Sequence, residues 1–174
     1  MMDTRRKAVF FDRDGVLNED DGYVHQMRKL RWVKGAREIV AELTKAGFLL
    51  FVVTNQSGVA RGYFTEETVQ QLHREMNEEF QKWGGHITEF FYCPHLAGAP
   101  LSAYDKVCSC RKPAPGMILR ALDAYGIDKD RAVLFGDGKR DVEAAENAGI
   151  RGFLFPGGDI EAFVREKLGL GTSS

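Results

Sequence analysis

The chain has 174 residues, long enough for one domain with a sizeable core. Its 24 Lys and Arg nearly balance 25 Asp and Glu, a formal net charge of -1 that argues against a general nucleic-acid binder but leaves room for a local basic pocket. No apolar run approaches a membrane span, no signal peptide precedes Asp12, and three cysteines confined to positions 93–110 are not a secreted disulfide framework, so a reducing cytoplasm is expected.

Residues 8–11, Ala-Val-Phe-Phe, are apolar at every position, the pattern of a parallel strand covered on both faces. The run ends in Asp12 and Asp14, followed by Gly15. Residues two apart on extended chain point the same way, so both carboxylates face one site unless the chain turns between them. Two acids held close repel, which a bound cation or a basic substrate relieves; a solvated acidic turn is the other reading of the pair.

Residues 19–29 are polar, carry Gly22 and show no helical period, as expected of a loop or flap over the strand end. Ala36, Ile39, Val40 and Leu43 then form a helical stripe that Gly47 stops. An apolar strand over 48–53 ends in Thr54, Asn55, Gln56, Ser57 and Gly58. Thr65 caps the next helix, with Glu66 and Glu67 in its first turn and Val69, Leu72, Met76, Phe80 and Trp83 as its buried face. A third strand over 87–92 leads into a cysteine-bearing loop that runs to Lys112, and 113–125 is helical. A fourth strand, 132–135, ends in Gly136 and Asp137; a short helix over 141–148 stops at Gly149. The fifth strand is 153–155, Asp159 caps a last helix to Leu168, and 169–174 is expected to be a disordered tail.

This alternation predicts an α/β fold, a doubly wound parallel sheet with helices on both faces and functional residues where strands end. Those ends are unusually polar here. Asp12, Asp14 and Asp137 suit a hard cation such as Mg²⁺, Thr54 offers a hydroxyl, and Lys112 supplies a compensating positive charge. Carboxylate, cation, lysine and hydroxyl are the parts that phosphoryl transfer needs.

Cys93-x-His95 and Cys108-x-Cys110 make a second constellation, four soft or borderline ligands in two close pairs that satisfy a closed tetrahedral zinc site. A redox-inert loop with a Cys108–Cys110 pair is the alternative. His25, His73 and His86 read as surface or structural residues. Arg61 either reaches an anionic substrate or is an exposed loop arginine. Asp141 orients Lys112, supports the metal site or caps its helix.

Four ordered motifs, DRDGVLN at 12–18, TNQSG at 54–58, RKP at 111–113 and GDGKRD at 136–141, resemble the haloacid dehalogenase-like phosphatases. The likeness spans residues 8–149, and the CPH and CSCRKPAPGM segments are similar to the subgroup of sugar-bisphosphate and histidinol-phosphate phosphatases. The resemblance implies a Rossmann-like sheet without a large cap domain. It makes Asp12 the nucleophile that forms an aspartyl-phosphate and Asp14 the acid that protonates the leaving oxygen and then activates water. Asp12, the backbone carbonyl of Asp14 and Asp137 would hold Mg²⁺. Thr54 and Lys112 would grip the phosphoryl group; Asp20, Asp21, Gly22, Tyr23, Asn55, Gln56, Ser57 and Arg111 would contact the substrate. Cys93, His95, Cys108 and Cys110 would hold structural zinc.

The activity implied is a Mg²⁺-dependent phosphomonoesterase for a small sugar phosphate, a bisphosphate preferred, with no nucleic-acid or membrane partner and a monomeric chain. Histidinol phosphate is the alternative substrate. A receiver-type signalling domain needs neither Asp14 as acid nor a zinc loop. A zinc-stabilised nucleic-acid module or a polynucleotide 3′-phosphatase would want a basic, aromatic stripe that is absent. One departure stands out: members of the subgroup carry a lysine directly after the last motif aspartate, where this chain has Gly138, with Lys139 next along.

Overall fold

The computed structural model describes residues 6–171; the first five residues, part of the segment read for a signal peptide, and 172–174 of the expected tail lie outside them. Strands and helices alternate as β1 Arg6–Phe11, α1 Ala36–Lys45, β2 Leu49–Asn55, α2 Glu66–Lys82, β3 Glu89–Cys93, α3 Gly116–Tyr125, β4 Ile127–Gly136, α4 Lys139–Ala148, β5 Arg151–Leu154 and α5 Ile160–Leu168. All neighbouring strands pair in parallel, in the order β3-β2-β1-β4-β5.

β1 lies in the middle, and its uninterrupted apolar run has the reason expected of it. Val9 and Phe11 pack with Ile39 and Leu43 of α1, Leu72 and Met76 of α2 and Val164 of α5. Ala8 and Phe10, pointing the other way, pack with Met117 and Ala121 of α3 and Ala144 and Ala148 of α4. From β1 the chain steps outward to β2 and β3, then crosses back to β4 on the far side. That reversal puts the switch point of the sheet at the carboxyl ends of β1 and β4, where a crevice opens. The Asp12 N–H donates to Phe135 O at 3.0 Å, so the first acidic residue is still tied to the sheet.

Several boundaries differ from the sequence reading, four of them as follows. β3 starts at Glu89 because the Asn77 amide takes both main-chain groups of Ile87, accepting from its N–H at 2.9 Å and donating to its carbonyl at 3.0 Å. β4 starts at Ile127, opposite Arg6; the exposed polar run 128–130 inside it carries no apolar signal. α3 starts at Gly116, whose N–H donates to Ser109 O at 2.8 Å, and 113–115 form the turn before it. The fifth strand is Arg151–Leu154, with Phe155 buried just beyond it.

The tail expected to be disordered from 169 begins with ordered chain. Gly169 closes α5 in the left-handed region, Leu170 N–H donates to Arg165 O at 2.9 Å, and Leu170 packs on the core. Among the described residues, no helix is long and apolar enough to cross a membrane.

Trp83 was expected on the buried face of α2 and is 45% exposed. It lies one residue past the helix, and the Arg37 guanidinium covers its ring at 4.6 Å. Phe80, three residues earlier, is fully buried. Phe80→Ala is therefore expected to cost about 3–5 kcal/mol of stability, and Trp83→Ala about 1 kcal/mol or less, the scale of an exposed cation–π contact. Equilibrium denaturation of the two variants reads this directly.

Candidate active site

The site is built around a buried lysine. Lys112 Nζ donates to Asp12 Oδ1 at 2.9 Å, Asp141 Oδ1 at 2.5 Å and Val53 O at 2.9 Å, which uses all three of its protons. Asn55, at the end of β2, holds the main chain of Lys112 from both sides. Its Oδ1 accepts from Lys112 N–H at 2.9 Å and its Nδ2 donates to Lys112 O at 3.2 Å. Asp12 Oδ1 also accepts from Arg13 N–H at 2.9 Å, so Oδ2 is the oxygen left toward the cavity.

Two carboxylates on one ammonium, with Asp137 beside them, leave negative charge in excess. Burial raises the Asp12 pKa to about 8; Lys112 opposes the rise, and Asp141 and Asp137 add to it. Asp137 is also raised, by burial first. Burial works against the charge of Lys112, but Asp12 and Asp141 outweigh it and hold its pKa up, so it remains an ammonium. Gly15 makes the crowding possible. Its φ is +88°, and a Cβ there would overlap the Asp137 carboxylate.

Asp14 is held by a different set of groups. Its carboxylate accepts from Arg13 Nη2 at 3.0 and 3.2 Å, from Asn18 Nδ2 at 2.9 Å and from Gln56 Nε2 at 3.1 Å. Arg13 is fully buried, an unusual place for a guanidinium. It also donates to Val24 O at 2.8 Å, and its Nη1 lies 3.2 Å from His73 Nε2. Burial, then Arg13, push the His73 pKa well below its usual value, so its neutral ring can accept from Arg13 while stacking on Phe90. His73 is structural, as expected.

A cavity of about 260 Å³ opens over these groups, lined by Asp12, Asp14, Asp20, Thr54, Asn55, Lys112, Asp137, Gly138 and Arg140. Seven of these are residues that the sequence singled out. Gln56 lies behind the wall, donating to Thr54 Oγ1 at 2.8 Å as well as to Asp14. Asp21 turns to Arg31 at 2.5 Å, a hydrogen bond that lowers its pKa. Gly22 and Tyr23 line a neighbouring hollow of about 210 Å³. Tyr23 packs edge-on against Tyr63, with Arg61 over its ring at 5.9 Å. Ser57 contributes its carbonyl to the turn, accepting from Arg61 N–H at 3.0 Å. Arg111 reaches back to His95 O at 3.4 Å and is not part of the cavity wall. Lys139 points to solvent, 89% exposed, beside Glu143. Arg140, which the sequence reading passed over, does line the cavity. The signal for it was its place in the first turn of α4, where side chains lean back toward the helix start and hence toward the crevice.

Asp12, Asp137 and Asp141 bring one oxygen each within 4.8 Å of one another, a hard-donor set that fits a small divalent cation. The Asp14 carboxylate is not in that group; with Arg13, Asn18 and Gln56 on it, the main-chain carbonyl is what Asp14 has to offer a metal. Asp141 serves two of its three expected uses outright. Oδ1 takes Lys112, and Oδ2 accepts from Gly138 N–H at 3.0 Å, closing the start of α4.

The second cluster also assembles. Cys93 and Cys110 Sγ lie 2.7 Å apart, Cys93 and Cys108 Sγ 3.4 Å, and His95 Nδ1 lies 3.3 Å from Cys110 Sγ. All three cysteines are free, and the four candidate ligand atoms lie within 4.8 Å of one another, a donor set of the kind that binds zinc. Burial and Lys106 lower the His95 pKa, which favours the neutral ring that binds metal.

Comparison with known proteins places this geometry. A family profile described as HAD-hydrolase-like matches residues 109–167. The chain is 46% identical over 164 residues to the D-glycero-beta-D-manno-heptose-1,7-bisphosphate 7-phosphatase of Rhodopseudomonas palustris, covering 94% of this chain and 91% of that one. It is 45% identical to the enzyme of the same name from Vibrio cholerae, over 83% of this chain and 78% of the relative. Among solved structures it is similar, with a TM-score of 0.78 and 34% identity, to the D,D-heptose 1,7-bisphosphate phosphatase of B. bronchiseptica complexed with magnesium and phosphate, covering 97% of this chain and 88% of that one.

The raised Asp12 pKa has a measurable consequence. An acid titrating near 8 in the folded chain and near 3.8 unfolded favours folding below about pH 4 and loses that contribution as pH rises toward 8. In chelator, the melting temperature of Asp12→Asn relative to wild type should therefore climb between pH 4 and 8 and level off above. Added Mg²⁺ should raise the wild type at pH 8 and leave Asp12→Asn almost unmoved.

Proposed function

We propose that this chain, which belongs to the haloacid dehalogenase-like phosphatases, removes the 7-phosphate of D-glycero-β-D-manno-heptose 1,7-bisphosphate through an aspartyl-phosphate on Asp12. The chain is a phosphomonoester hydrolase. The observation that carries the substrate assignment is the 46% identity to an enzyme of that name across nearly the full length of both chains. Histidinol phosphate is the second reading, since the sequence motifs resemble both groups.

The mechanism follows from how each acid is held. Asp12 Oδ1 is anchored by Arg13 N–H and Lys112, so Oδ2 attacks phosphorus as the bond to the sugar oxygen breaks. Asp14, aimed into the same cavity and fixed by Arg13, Asn18 and Gln56, gives its proton to the departing alkoxide. It then takes one from the water that cleaves the aspartyl-phosphate, releasing phosphate and restoring Asp12. Lys112 and the Thr54 hydroxyl face the phosphoryl oxygens. Mg²⁺ held by Asp12, Asp137 and the Asp14 carbonyl would supply the positive charge that this acidic site lacks. Zn²⁺ on Cys93, His95, Cys108 and Cys110 would be structural, since four protein ligands leave no open position.

Phosphate release over a panel of sugar phosphates tests the reading. The heptose bisphosphate should give the highest kcat/KM, and a clear preference for histidinol phosphate would turn the assignment over. Asp12→Asn should fold and show no turnover; Asp14→Asn should slow the reaction about 10²–10⁴-fold. Metal analysis of protein purified without chelator should find close to one zinc per chain. Cys110→Ala should lose it and lower kcat/KM while Mg²⁺ still binds; full activity without zinc would refute a role for that loop.

A further inference from the structure

The cavity wall carries two cations of very different standing. Lys112 is buried and gives its three protons to Asp12, Asp141 and Val53 O. Arg140 lines the same cavity from the first turn of α4, is exposed, and has no carboxylate partner among the described residues. A guanidinium at the positive end of a helix is unfavourably placed unless an anion shares the position. Four of the other residues around it are Asp12, Asp14, Asp20 and Asp137, yet none of their carboxylates pairs with it.

Gly138 explains how Arg140 gets there. Its backbone is extended, φ −124° and ψ 154°, so nothing in the conformation calls for glycine. A Cβ at 138 would meet Asp141 Oδ2 at 3.5 Å, Arg140 Nε at 3.8 Å and Arg140 Cγ at 4.0 Å, all ordinary contacts. A longer side chain leaving that Cβ would compete for the space that the Arg140 side chain now crosses. The missing side chain at 138 and the direction of Arg140 are one feature. The other two nearby cations do not line the cavity: Arg111 gives one N–H to His95 O at 3.4 Å, and Lys139 lies 3.7 Å from Glu143.

We propose that Arg140 is a specificity residue, the group that binds the phosphate of the substrate that does not react. The inference rests on the bisphosphate reading above. A planar guanidinium matches phosphate oxygens two at a time, and a free one at the mouth of an otherwise acidic cavity recruits a doubly phosphorylated sugar over a singly phosphorylated one.

The test compares kcat/KM for the heptose 1,7-bisphosphate and the heptose 7-phosphate. Wild type should prefer the bisphosphate. Arg140→Ala should lower kcat/KM for the bisphosphate about 10–100-fold, chiefly through KM, the scale of a lost charge-assisted hydrogen bond. The 7-phosphate should change about threefold or less, so the preference collapses. Arg140→Lys should retain part of it, since the charge stays and the fork is lost. Lys139→Ala should leave both substrates as in wild type. The relocated cation in Gly138→Lys/Arg140→Ala should restore much of the preference, because position 138 faces the same space. Arg140→Ala that keeps the wild-type preference overturns the inference and leaves the bisphosphate reading standing. A wild type that does not distinguish the two substrates overturns that reading, and this inference with it.

Discussion

A single buried ammonium bridges groups from three neighbouring strands at the carboxyl edge of the sheet. Lys112 reaches Asp12 after β1, Val53 within β2 and Asp141 just past β4, each within hydrogen-bond distance. Removing one partner of a buried ionic group leaves the rest uncompensated, a loss of about 3–5 kcal/mol where it has been measured. An apolar plug of the same volume would fill that space with less electrostatic cost. What such a plug would lack is a fixed positive charge beside the carboxylate proposed as nucleophile. The arrangement is one in which stability is given up for chemistry, and the raised pKa of Asp12 is its signature.

The same trade runs through the DRDG stretch. Leu17 and Asn18 N–H both donate to Arg13 O, so the chain turns straight after the strand and does not continue extended. Asp12 and Asp14 still line one cavity, but strand alternation is not the cause. Arg13, between them, swings inward and binds Asp14, Val24 O and His73. It thereby links the acid to the flap through Val24 and to α2 through His73. Asn18 Oδ1 has no hydrogen-bond partner, a cost accepted where its amide nitrogen secures Asp14.

Much of this was legible in the sequence wherever one side chain type implies one environment. Apolar runs at 8–11 and 48–53 have the pattern of interior parallel strands, and the polar residues at their ends lie where such sheets leave a crevice. The two close pairs, Cys93 with His95 and Cys108 with Cys110, do come together in the fold. What escaped was whatever depended on side-chain direction. Arg13 drew no reading because arginine is seldom buried, and nothing local announces His73 as its partner across sixty residues. Asn55, Gln56 and Arg111 read as substrate contacts because they sit in the right motifs. Asn55 lines the cavity, but its amide is spent on the Lys112 main chain; Gln56 braces Thr54 and Asp14, and Arg111 turns away. Trp83 was counted with an apolar stripe whose last buried member is Phe80, and the helix itself stops one residue before it. Arg140 was masked by the lysine beside it, although only one of the two leans over the crevice.

The two clusters of ligands are not independent features of the fold. Cys110 and Lys112 are separated by one residue, and Gly116, which opens α3, hydrogen-bonds back to Ser109 O. A side chain at 116 would overlap that carbonyl, so the loop and the helix can close on each other only through glycine. Lys112 is thus set from two directions: Asn55 clamps its main chain from the sheet, and Cys110 fixes the path by which that main chain arrives. The loop between Cys93 and Cys110 has neither helix nor strand beyond one 3₁₀ turn, at Ser102–Tyr104, to give it shape. It is held by its own turns, with Leu96 N–H donating to Tyr104 O at 3.0 Å and Gly98 N–H to Asp105 Oδ1 at 2.6 Å, by the Cys/His cluster, and by Glu66, which accepts from the Tyr92 and Tyr104 hydroxyls at 2.7 and 2.8 Å. Misplacing a reacting group by about 1 Å can cost about 10²-fold in rate, so on the proposed mechanism this cluster would bear on the reaction at Asp12 through where Lys112 stands.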